Sequence, residues 1–367
     1  MRTPVRIKVS LGAAAVAALL AAGSAQASAP DHVTDRATGV AVERSDAGPG
    51  RVKAFWTQER IKEAVARPSD LPTAPDVDAR PLDSAPAPAS SGVPASASAS
   101  AVAPKNRLPG SGDRTVGTFA PTDVTRSIKN AATASWPFTP SGWLVYYGSD
   151  GNLYSCSAAV IVHSNKSTVW TAAHCLHGGK GGGYSKNAAF VPAKNGDDHP
   201  FGVWEKVSSY VPTKWIQDSD VITGDMAAFT VRADPTLGGF VQDVVGAYGY
   251  EFRSNSPENG FVHSIGYPGD GYGRPNSDYS GGAYQRFCTG PTVDAAPGKP
   301  LDQRLKLNCE MGHGASGGPM VKNLTGDARI VGVNSHRKAD SNGNWVDNYM
   351  YSSEHGSQAR SVYSAIR

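Results

Sequence analysis

The sequence has no apolar run long enough to cross a membrane, no cluster of basic residues and no cysteines or histidines at metal-ligand spacing. Its longest apolar run, from Leu11 to Ala22, has about 12 residues, whereas a membrane-spanning helix needs about 20. A net charge of +3 over 367 residues is too small to indicate nucleic-acid binding. The four cysteines are not clustered as zinc ligands are. These absences disfavour a membrane protein, a nucleic-acid-binding protein and a zinc protein.

The first 27 residues have the layout of a secretory signal peptide. Arg2, Arg6 and Lys8 precede the apolar run, and residues 25–27 have the Ala-x-Ala form of a cleavage site. The alternative, a membrane anchor, is disfavoured because the apolar run is too short. We therefore predict that residues 1–27 direct export and that the mature protein is secreted (extracellular).

Residues 28–114 lack a sustained apolar rhythm. A short helix is predicted around residues 54–66, and Pro, Ala and Ser dominate from Pro81 to Pro104. Because such a composition buries little apolar surface, we predict a flexible segment there. Two interpretations of this region are open at this point: a propeptide that is removed on maturation, which the family resemblance described below favours, or a permanent linker.

From residue 115 to residue 367 short β-rich runs alternate with Gly, Asn, Asp and Pro. The strands are predicted at Trp143–Tyr147, Ser157–Val162, Phe201–Tyr210, Met226–Val231, Phe261–Gly266, Leu305–Cys309, Ile330–Asn334 and Trp345–Tyr351. One helix is predicted at the end, where Ala359, Val362, Tyr363 and Ile366 recur at helical spacing. The pattern predicts an all-β barrel or sandwich domain with a C-terminal helix.

Three segments carry residues suited to nucleophilic catalysis. Ser316 lies in the glycine-rich run 312–319, where little side-chain bulk separates the backbone from a ligand. A serine hydroxyl needs a base and a group that orients the base. His174, in Thr-Ala-Ala-His-Cys, and Asp225, just before an apolar run, precede the serine in the chain.

Together these segments resemble the chymotrypsin-like (trypsin-like) serine peptidases, and in particular the secreted bacterial branch that includes the glutamyl endopeptidases. The resemblance covers residues 115–367. It implies an all-β fold of two antiparallel β-barrels with the active site between them and a C-terminal helix. His174 and Asp225 would lie in the first barrel and Ser316 in the second.

The resemblance gives each catalytic residue a role. His174 would be the general base and later the acid, since imidazole titrates near neutral pH. Asp225 would orient His174 and stabilise its imidazolium, and Ser316 would be the nucleophile. Asp218 and Asp220 compete with Asp225, but their polar, turn-like surroundings favour a surface loop. The remaining candidate histidines, His163, His177 and His313, are interpreted as surface or loop residues.

The backbone N–H groups of Gly314 and Ser316 would form the oxyanion hole. The chain departs from many relatives at Ala315, where they carry an aspartate. In the trypsin branch that aspartate pairs with the new N-terminus after cleavage. This chain therefore cannot use that activation switch, and a propeptide would act by steric blocking or by assisting folding.

The substrate-binding residues are predicted less directly. Ser335 matches the family serine that supports the triad aspartate, beside the strand that pairs with substrate, and His336 would follow along the cleft. Glu310 lies six residues before Ser316, where the trypsin branch binds basic side chains; the alternative is a solvated loop charge. The glutamyl endopeptidases use a histidine at the position of Asn334, so acidic specificity is not supported there.

The four cysteines suit an oxidising compartment, and by number alone they allow three pairings. The family pairs the cysteine after its catalytic histidine with one a short loop upstream. The resemblance therefore implies the disulfides Cys156–Cys175 and Cys288–Cys309.

We predict a monomeric secreted serine endopeptidase that cleaves polypeptide substrates through an acyl-enzyme. It would need no cofactor or metal and bind neither nucleic acid nor membrane. One alternative is an inactive homologue that serves as a protein-binding module. Another is an esterase, which is disfavoured because its histidine would follow the serine and its strands would alternate with helices.

Overall fold

The computed structural model describes residues 32–35, 37–65, 73–75, 96–105, 122–253, 260–299 and 301–367. The predicted signal peptide, residues 1–27, and the predicted domain boundary at residue 114 lie outside these ranges. Within the described ranges, no helix has both the length and the apolar character that crossing a membrane requires.

β-Strands make up most of the regular structure. In chain order they are β1 His32–Asp35, β2 Val40–Arg44, β3 Thr73–Pro75, β4 Ser96–Ala99, β5 Val124–Lys129, β6 Ser141–Tyr147, β7 Leu153–Val160, β8 Thr168–Thr171, β9 Lys186–Pro192, β10 Trp204–Pro212, β11 Ala227–Val231, β12 Gly249–Arg253, β13 Phe261–Gly266, β14 Arg286–Asp294, β15 Leu305–Asn308, β16 Pro319–Lys322, β17 Arg329–Val333, β18 Arg337–Ala339 and β19 Tyr349–Tyr351. The α-helices are α1 Arg51–Phe55, α2 Gln58–Val65, α3 Thr213–Asp218, α4 Val241–Val245 and α5 Ser357–Ala365.

Six strands close into an antiparallel barrel in the order β6, β7, β8, β11, β10 and β9, with β9 pairing back to β6. Trp170, Phe190 and Phe229 are fully buried in its core. Closure pairs the strand edges that an open sheet would expose. The prediction of an all-β chain with a barrel is confirmed for this half of the domain.

The remaining long strands form a nine-stranded sheet in the order β19-β15-β14-β13-β16-β17-β12-β4, with β5 beside β14. A second core lies against it, built from residues such as Leu307, Met320 and Met350 around a disulfide. Among the described residues its strand pairings do not return to the first strand. The second barrel therefore stays a prediction.

Both implied disulfides are confirmed. Cys156 of β7 bonds to Cys175, which follows β8, and Cys288 of β14 bonds to Cys309, directly after β15. Each bond closes a loop of roughly twenty residues, which contributes about 3 kcal/mol in the chain-entropy account. Each core is thus cross-linked close to a sequence motif, since Cys175 directly follows His174 and Cys309 lies just before the glycine-rich run 312–319.

Described parts of residues 32–105 pair with strands of the domain, and residues 96–99 belong to the run 81–104 that was predicted to be flexible. β2 pairs with β1 and with β10 of the barrel, and β4 pairs with β12 of the second sheet. The predicted helix near residues 54–66 is two helices, α1 and α2. In strand addition, main-chain hydrogen bonds to a free strand edge supply much of the binding energy, so large apolar side chains are not needed. A Ser/Ala-rich run such as β4 can therefore be ordered despite its composition.

The helical part of this segment is anchored by Trp56. Its side chain is buried, and its Nε1 donates a hydrogen bond to the Asn187 carbonyl at 2.7 Å. The Glu205 carboxylate accepts from the backbone N–H groups of Gly50, at 3.1 Å, and Lys53, at 2.8 Å. Apolar packing and hydrogen bonds therefore hold α1 against the barrel.

Replacing this anchor should destabilise the full-length protein. Trp56→Ala is expected to lower the free energy of unfolding by about 3–5 kcal/mol, because it empties a buried aromatic site. Glu59→Ala, an exposed change in α2, is the matched control and should stay within about 0.5 kcal/mol of the unchanged protein. Urea unfolding followed by tryptophan fluorescence and circular dichroism measures both; equal values for the two variants would contradict the packing of this segment.

Candidate active site

His174 lies in a short 3-10 turn, Ala173–Cys175, immediately after β8. The antiparallel register of β8 and β11 pairs Thr171 with Ala227. Because residue numbers run in opposite directions along such a pair, Asp225 comes to lie beside the turn that carries His174. The Cys156–Cys175 disulfide fixes the same turn from its other end.

Asp225 is fully buried and accepts several hydrogen bonds. The His174 backbone N–H donates to Oδ1 at 3.0 Å, and His174 Nδ1 lies 3.1 Å from Oδ1 and 3.0 Å from Oδ2. The Ser335 hydroxyl donates to Oδ2 at 2.6 Å. Burial opposes ionisation of Asp225, but the charge of His174 and these hydrogen bonds hold its pKa below the ordinary value.

These contacts assign the proton on the His174 ring. An ionised carboxylate only accepts hydrogen bonds, so Nδ1 of His174 must donate to Asp225. In the neutral ring Nε2 then carries the free lone pair. Nε2 is buried and has no hydrogen-bond partner among the described residues. His174 is thus arranged to accept a proton at Nε2.

The loop that carries Ser316 is fixed by hydrogen bonds to both halves of the domain. The Ser157 N–H, in β7 of the barrel, donates to the Ser316 carbonyl at 2.7 Å, and the Ser157 hydroxyl donates to the Gly314 carbonyl at 2.8 Å. The Gly317 N–H donates to the Asn334 carbonyl at 2.7 Å. Asn334 directly precedes Ser335, so the loop and the Asp225 network share one chain segment.

Ser316 is buried, and its Oγ makes no hydrogen bond within the described part of the chain. The backbone N–H groups of Gly314 and Ser316 likewise donate to no acceptor in that part of the chain. Gly314 has φ +87°, a conformation that favours glycine. A hydroxyl and two N–H donors without partners are the groups that a nucleophile and an oxyanion hole would supply.

The aspartates that competed with Asp225 lie elsewhere. Asp220 accepts hydrogen bonds from Ile222 N and from the backbone and hydroxyl of Thr223, which makes a local turn. Asp218 ends helix α3. Among the other histidines, His177 is buried, with Nδ1 accepting from Gly179 N at 3.1 Å. His177 therefore lies in a loop, as one of the two alternatives for it had it, but it is buried and not at the surface.

Glu310 is neither a solvated loop charge nor an open carboxylate. It is 1% exposed. One oxygen accepts from the hydroxyls of Ser127 and Tyr279, both at 2.9 Å, and from Arg274 Nη1 at 3.0 Å. The other accepts from Ser127 N at 2.6 Å. Its charge is therefore already compensated within the protein, and no basic substrate side chain is needed to pair it.

His336 does not lie along an open cleft, contrary to the prediction from its position. The ring is 1% exposed, stacks on Tyr351 with centroids 5.3 Å apart and lies between Ser335 and Arg304. Burial, and then the charge of Arg304, lower the pKa of His336 well below its ordinary value. The polar sequence after Ser335 gave no signal of this burial.

Two of the four arginines that are buried in the described ranges, Arg304 and Arg337, lie next to these residues, and neither was predicted. Arg304 is held by Asp302 through Nε at 2.9 Å and Nη2 at 2.7 Å. Arg337 donates to the carbonyls of Cys309 and Met311, both at 2.9 Å, and burial lowers its pKa to about 10. Arginine usually lies at the surface. Residue type alone therefore could not have identified either site.

Two groups of three potential metal ligands lie close together among the described residues, namely Cys156, His174 and Cys175, and Cys288, Cys309 and Glu310. All four cysteines in these groups are disulfide-bonded. A disulfide sulfur is not the thiolate that zinc or iron binds. Neither group is therefore a metal site as it stands.

The chain matches a family model described as Trypsin over residues 127–355, which is more than half of its length. It is 29% identical over 103 residues to the glutamyl endopeptidase of Bacillus licheniformis, a match that covers 28% of this chain and 30% of that relative. The match thus spans less than a third of the relative's length.

Among solved structures, the fold is similar to protease Anisep from Arthrobacter nicotinovorans, with a TM-score of 0.52 and 29% identity over 61% of this chain and 94% of that one. It is also similar to the thermostable serine protease AL20 from an extremophilic microorganism. There the TM-score is 0.51 and the identity 26%, over 62% of this chain and 97% of that one.

The loop that carries Ser316 should not tolerate a side chain at Gly317. Its φ is +76°, and an added Cβ would meet Thr171 Oγ1 and lie 2.5 Å from the Ser157 carbonyl. Gly317→Ala is expected to lower the free energy of unfolding by more than about 2 kcal/mol, since strain and clash combine.

Gly343→Ala separates these two causes. Gly343 has a similar φ of +83° but open space around the position of a Cβ. It should cost only about 1–2 kcal/mol. Chemical denaturation of both variants measures the difference, and a Gly317→Ala protein no less stable than the Gly343→Ala protein would refute the tight approach of the loop to Ser157.

Proposed function

The chain belongs to the trypsin family of serine peptidases, and on that premise we propose that it is a secreted serine endopeptidase that cleaves polypeptides through an acyl-enzyme. The observation that carries the proposal is the His174–Asp225–Ser335 hydrogen-bond network, with the partner-free Ser316 hydroxyl on the loop attached to it. Family membership alone supports a peptidase; this network supports the specific residues.

The chemistry follows from the proton on His174. Nε2 accepts the proton of Ser316 Oγ as that oxygen attacks the scissile carbonyl, and Asp225 stabilises the imidazolium that forms. The tetrahedral oxyanion is stabilised by the N–H groups of Gly314 and Ser316. His174 then protonates the leaving amine, and a water activated at the same nitrogen releases the acyl group. The chain's own side chains supply every proton transfer.

The alternative of an inactive, protein-binding homologue is not favoured. Loss of catalysis in such proteins would remove the constraint on the base, its carboxylate or the serine. Here the carboxylate is fully buried at a large desolvation cost, and it accepts hydrogen bonds from the ring of the base and from Ser335, so all three groups are retained in a working arrangement. The two disulfides support export to an oxidising compartment.

The central test is reaction of Ser316 with a fluorophosphonate probe. The secreted protein from which residues 28–114 have been removed, as checked by intact mass spectrometry, should be labelled at Ser316, as read from the modified peptide, and should hydrolyse casein. Ser316→Ala should abolish both while leaving thermal unfolding unchanged, because only one oxygen is removed. Ser364→Ala, at an exposed serine of α5, is the matched control. A folded protein without label at Ser316 would overturn the proposal.

We further infer that residues 28–114 act as a propeptide. Support comes from β3, which pairs with β18 in a two-stranded parallel sheet, with Thr73 opposite Arg337 and Pro75 opposite Ala339. β18 begins two residues after Ser335, which contacts the triad carboxylate. An edge strand at that place is suited to binding an extended peptide by strand addition. The chain's own β3 lies on that edge.

The direction of β3 explains how it could remain uncleaved. A substrate paired with β18 must have its chain directed toward the triad for its acyl carbonyl to reach Ser316. β18 is directed away from the triad, because it follows Ser335 in the chain. Such a substrate is therefore antiparallel to β18. β3 is parallel to it, so it occupies the edge in the reverse direction. This supports inhibition by steric blocking.

Removing the N–H donors of β3 tests this role. Thr73→Pro/Ala74→Pro should raise the initial rate of peptide hydrolysis by the uncut chain about fivefold or more, the equivalent of one lost hydrogen bond. Ala87→Pro/Ala89→Pro adds the same two prolines outside β3 and should change nothing. Intact mass spectrometry verifies that neither chain has been cut, and identical rates in the two variants would contradict the blocking role.

A further inference from the structure

A chain of four buried hydrogen-bonding groups leads from Arg304 to the carboxylate of Asp225. Arg304 Nη1 lies 2.8 Å from His336 Nε2, and His336 Nδ1 lies 2.8 Å from Ser335 Oγ. Ser335 Oγ lies 2.6 Å from Asp225 Oδ2. Arg304, His336 and Ser335 are each at most 2% exposed. Water therefore does not compete for these contacts.

Chemistry fixes the direction of each hydrogen bond. A guanidinium only donates, so His336 Nε2 accepts and the neutral ring carries its proton on Nδ1. That Nδ1–H donates to Ser335 Oγ, which leaves the Ser335 proton to point at Asp225. Burial and the charge of Arg304 both favour the neutral ring. One arrangement of protons therefore satisfies the whole chain.

The outer end of this chain is immobilised. Asp302 accepts from Nε, Nη2 and the backbone N–H of Arg304, at 2.9, 2.7 and 3.2 Å. The His336 ring stacks on Tyr351, and the two residues also form a backbone bridge. Arg304 and His336 thus cannot turn away from Ser335 without breaking several buried contacts.

From this geometry, and on the basis of the proposed peptidase function, we propose that His336 and Arg304 are positioning residues for catalysis. They force the Ser335 hydroxyl to donate to Asp225, which holds the carboxylate in the orientation that receives His174 Nδ1–H. Polarisation along successive hydrogen bonds strengthens the last of them. His336 reaches Asp225 only through Ser335, so it acts on the carboxylate by positioning the Ser335 hydroxyl.

Three substitutions at His336 distinguish the hydrogen bond that Nδ1 makes with Ser335 from the one that Nε2 makes with Arg304. His336→Asn places an amide N–H near the former Nδ1 and can still donate to Ser335. His336→Gln places its amide oxygen near the former Nε2 and can still accept from Arg304, but it has no donor at the position of the former Nδ1. His336→Phe keeps an aromatic ring against Tyr351 and removes both functions. The Asn and Gln variants are matched in polarity.

The measurement is steady-state hydrolysis of a peptide substrate, with kcat expressed per Ser316 that reacts with a fluorophosphonate. We expect kcat to fall about tenfold in the Phe and Gln variants with KM unchanged, and to recover most of this loss in the Asn variant. Thermal unfolding identifies any variant that does not fold, and the comparison of Asn with Gln suffices if the Phe variant fails.

Equal kcat in the Asn and Gln variants, or a change confined to KM, would overturn the positioning role. Labelling of Ser316 in the unchanged protein keeps this result separate from the proposed function. Without that label the peptidase proposal itself fails. With the label and no difference in kcat, only the role of His336 and Arg304 fails.

Discussion

The buried carboxylate of Asp225 is the constraint on which the rest of the site depends. An ionised carboxylate without water is stable only if donors satisfy it from every side. These donors come from the turn after β8, through the backbone and ring of His174, and from the end of β17, through Ser335. Each half of the domain therefore contributes to one ion, and the two halves must be correctly placed for it to be ionised. The same requirement sets the tautomer of His174 and so its capacity to accept a proton.

The strands predicted from the sequence are those with alternating or apolar β-rich runs. Several strands that overlap a catalytic motif or a turn signal were missed. All eight predicted strands overlap observed ones, including Phe261–Gly266 with identical bounds. Seven strands after residue 122 were missed, namely β5, β8, β9, β12, β14, β16 and β18. β8 and β16 adjoin a motif, the histidine turn or the glycine-rich loop, and β14 contains Gly290 and Pro291, which by themselves indicate a turn. The ordered parts of residues 32–105 were missed for a different reason. Their strands are stabilised by main-chain pairing to edges of the domain and, in β2, by the buried side chains of Val40 and Ala41. The partners in both cases lie far away in the sequence.

Within the site, residue types at motif positions were predictable and partners brought from afar were not. His174, Asp225 and Ser335 meet as the motifs indicated. The environments of Glu310 and His336 could not be predicted, because their surroundings come from Ser127, Arg274 and Tyr279 in one case and from Arg304 and Tyr351 in the other. A charge or an imidazole in a polar run looks solvent-exposed until distant strands bury it. Contacts with residues far away in the sequence, rather than the local sequence, determine the burial of both side chains.

The loop that carries Ser316 is held in place without the aspartate that many relatives carry at the position of Ala315. Its carbonyl accepts from the Asn334 side chain at 3.0 Å and from Gly318 N at 3.0 Å, while Ser157 fastens Gly314 and Ser316. Arg337 adds hydrogen bonds to the carbonyls of Cys309 and Met311 just upstream. None of these contacts requires a new N-terminus, and all are made while residues 32–65 remain packed on the barrel. An ion pair formed after cleavage is therefore unnecessary for the loop conformation. An N-terminal segment that restrains activity would therefore not need to act on the conformation of this loop, which is already held in place.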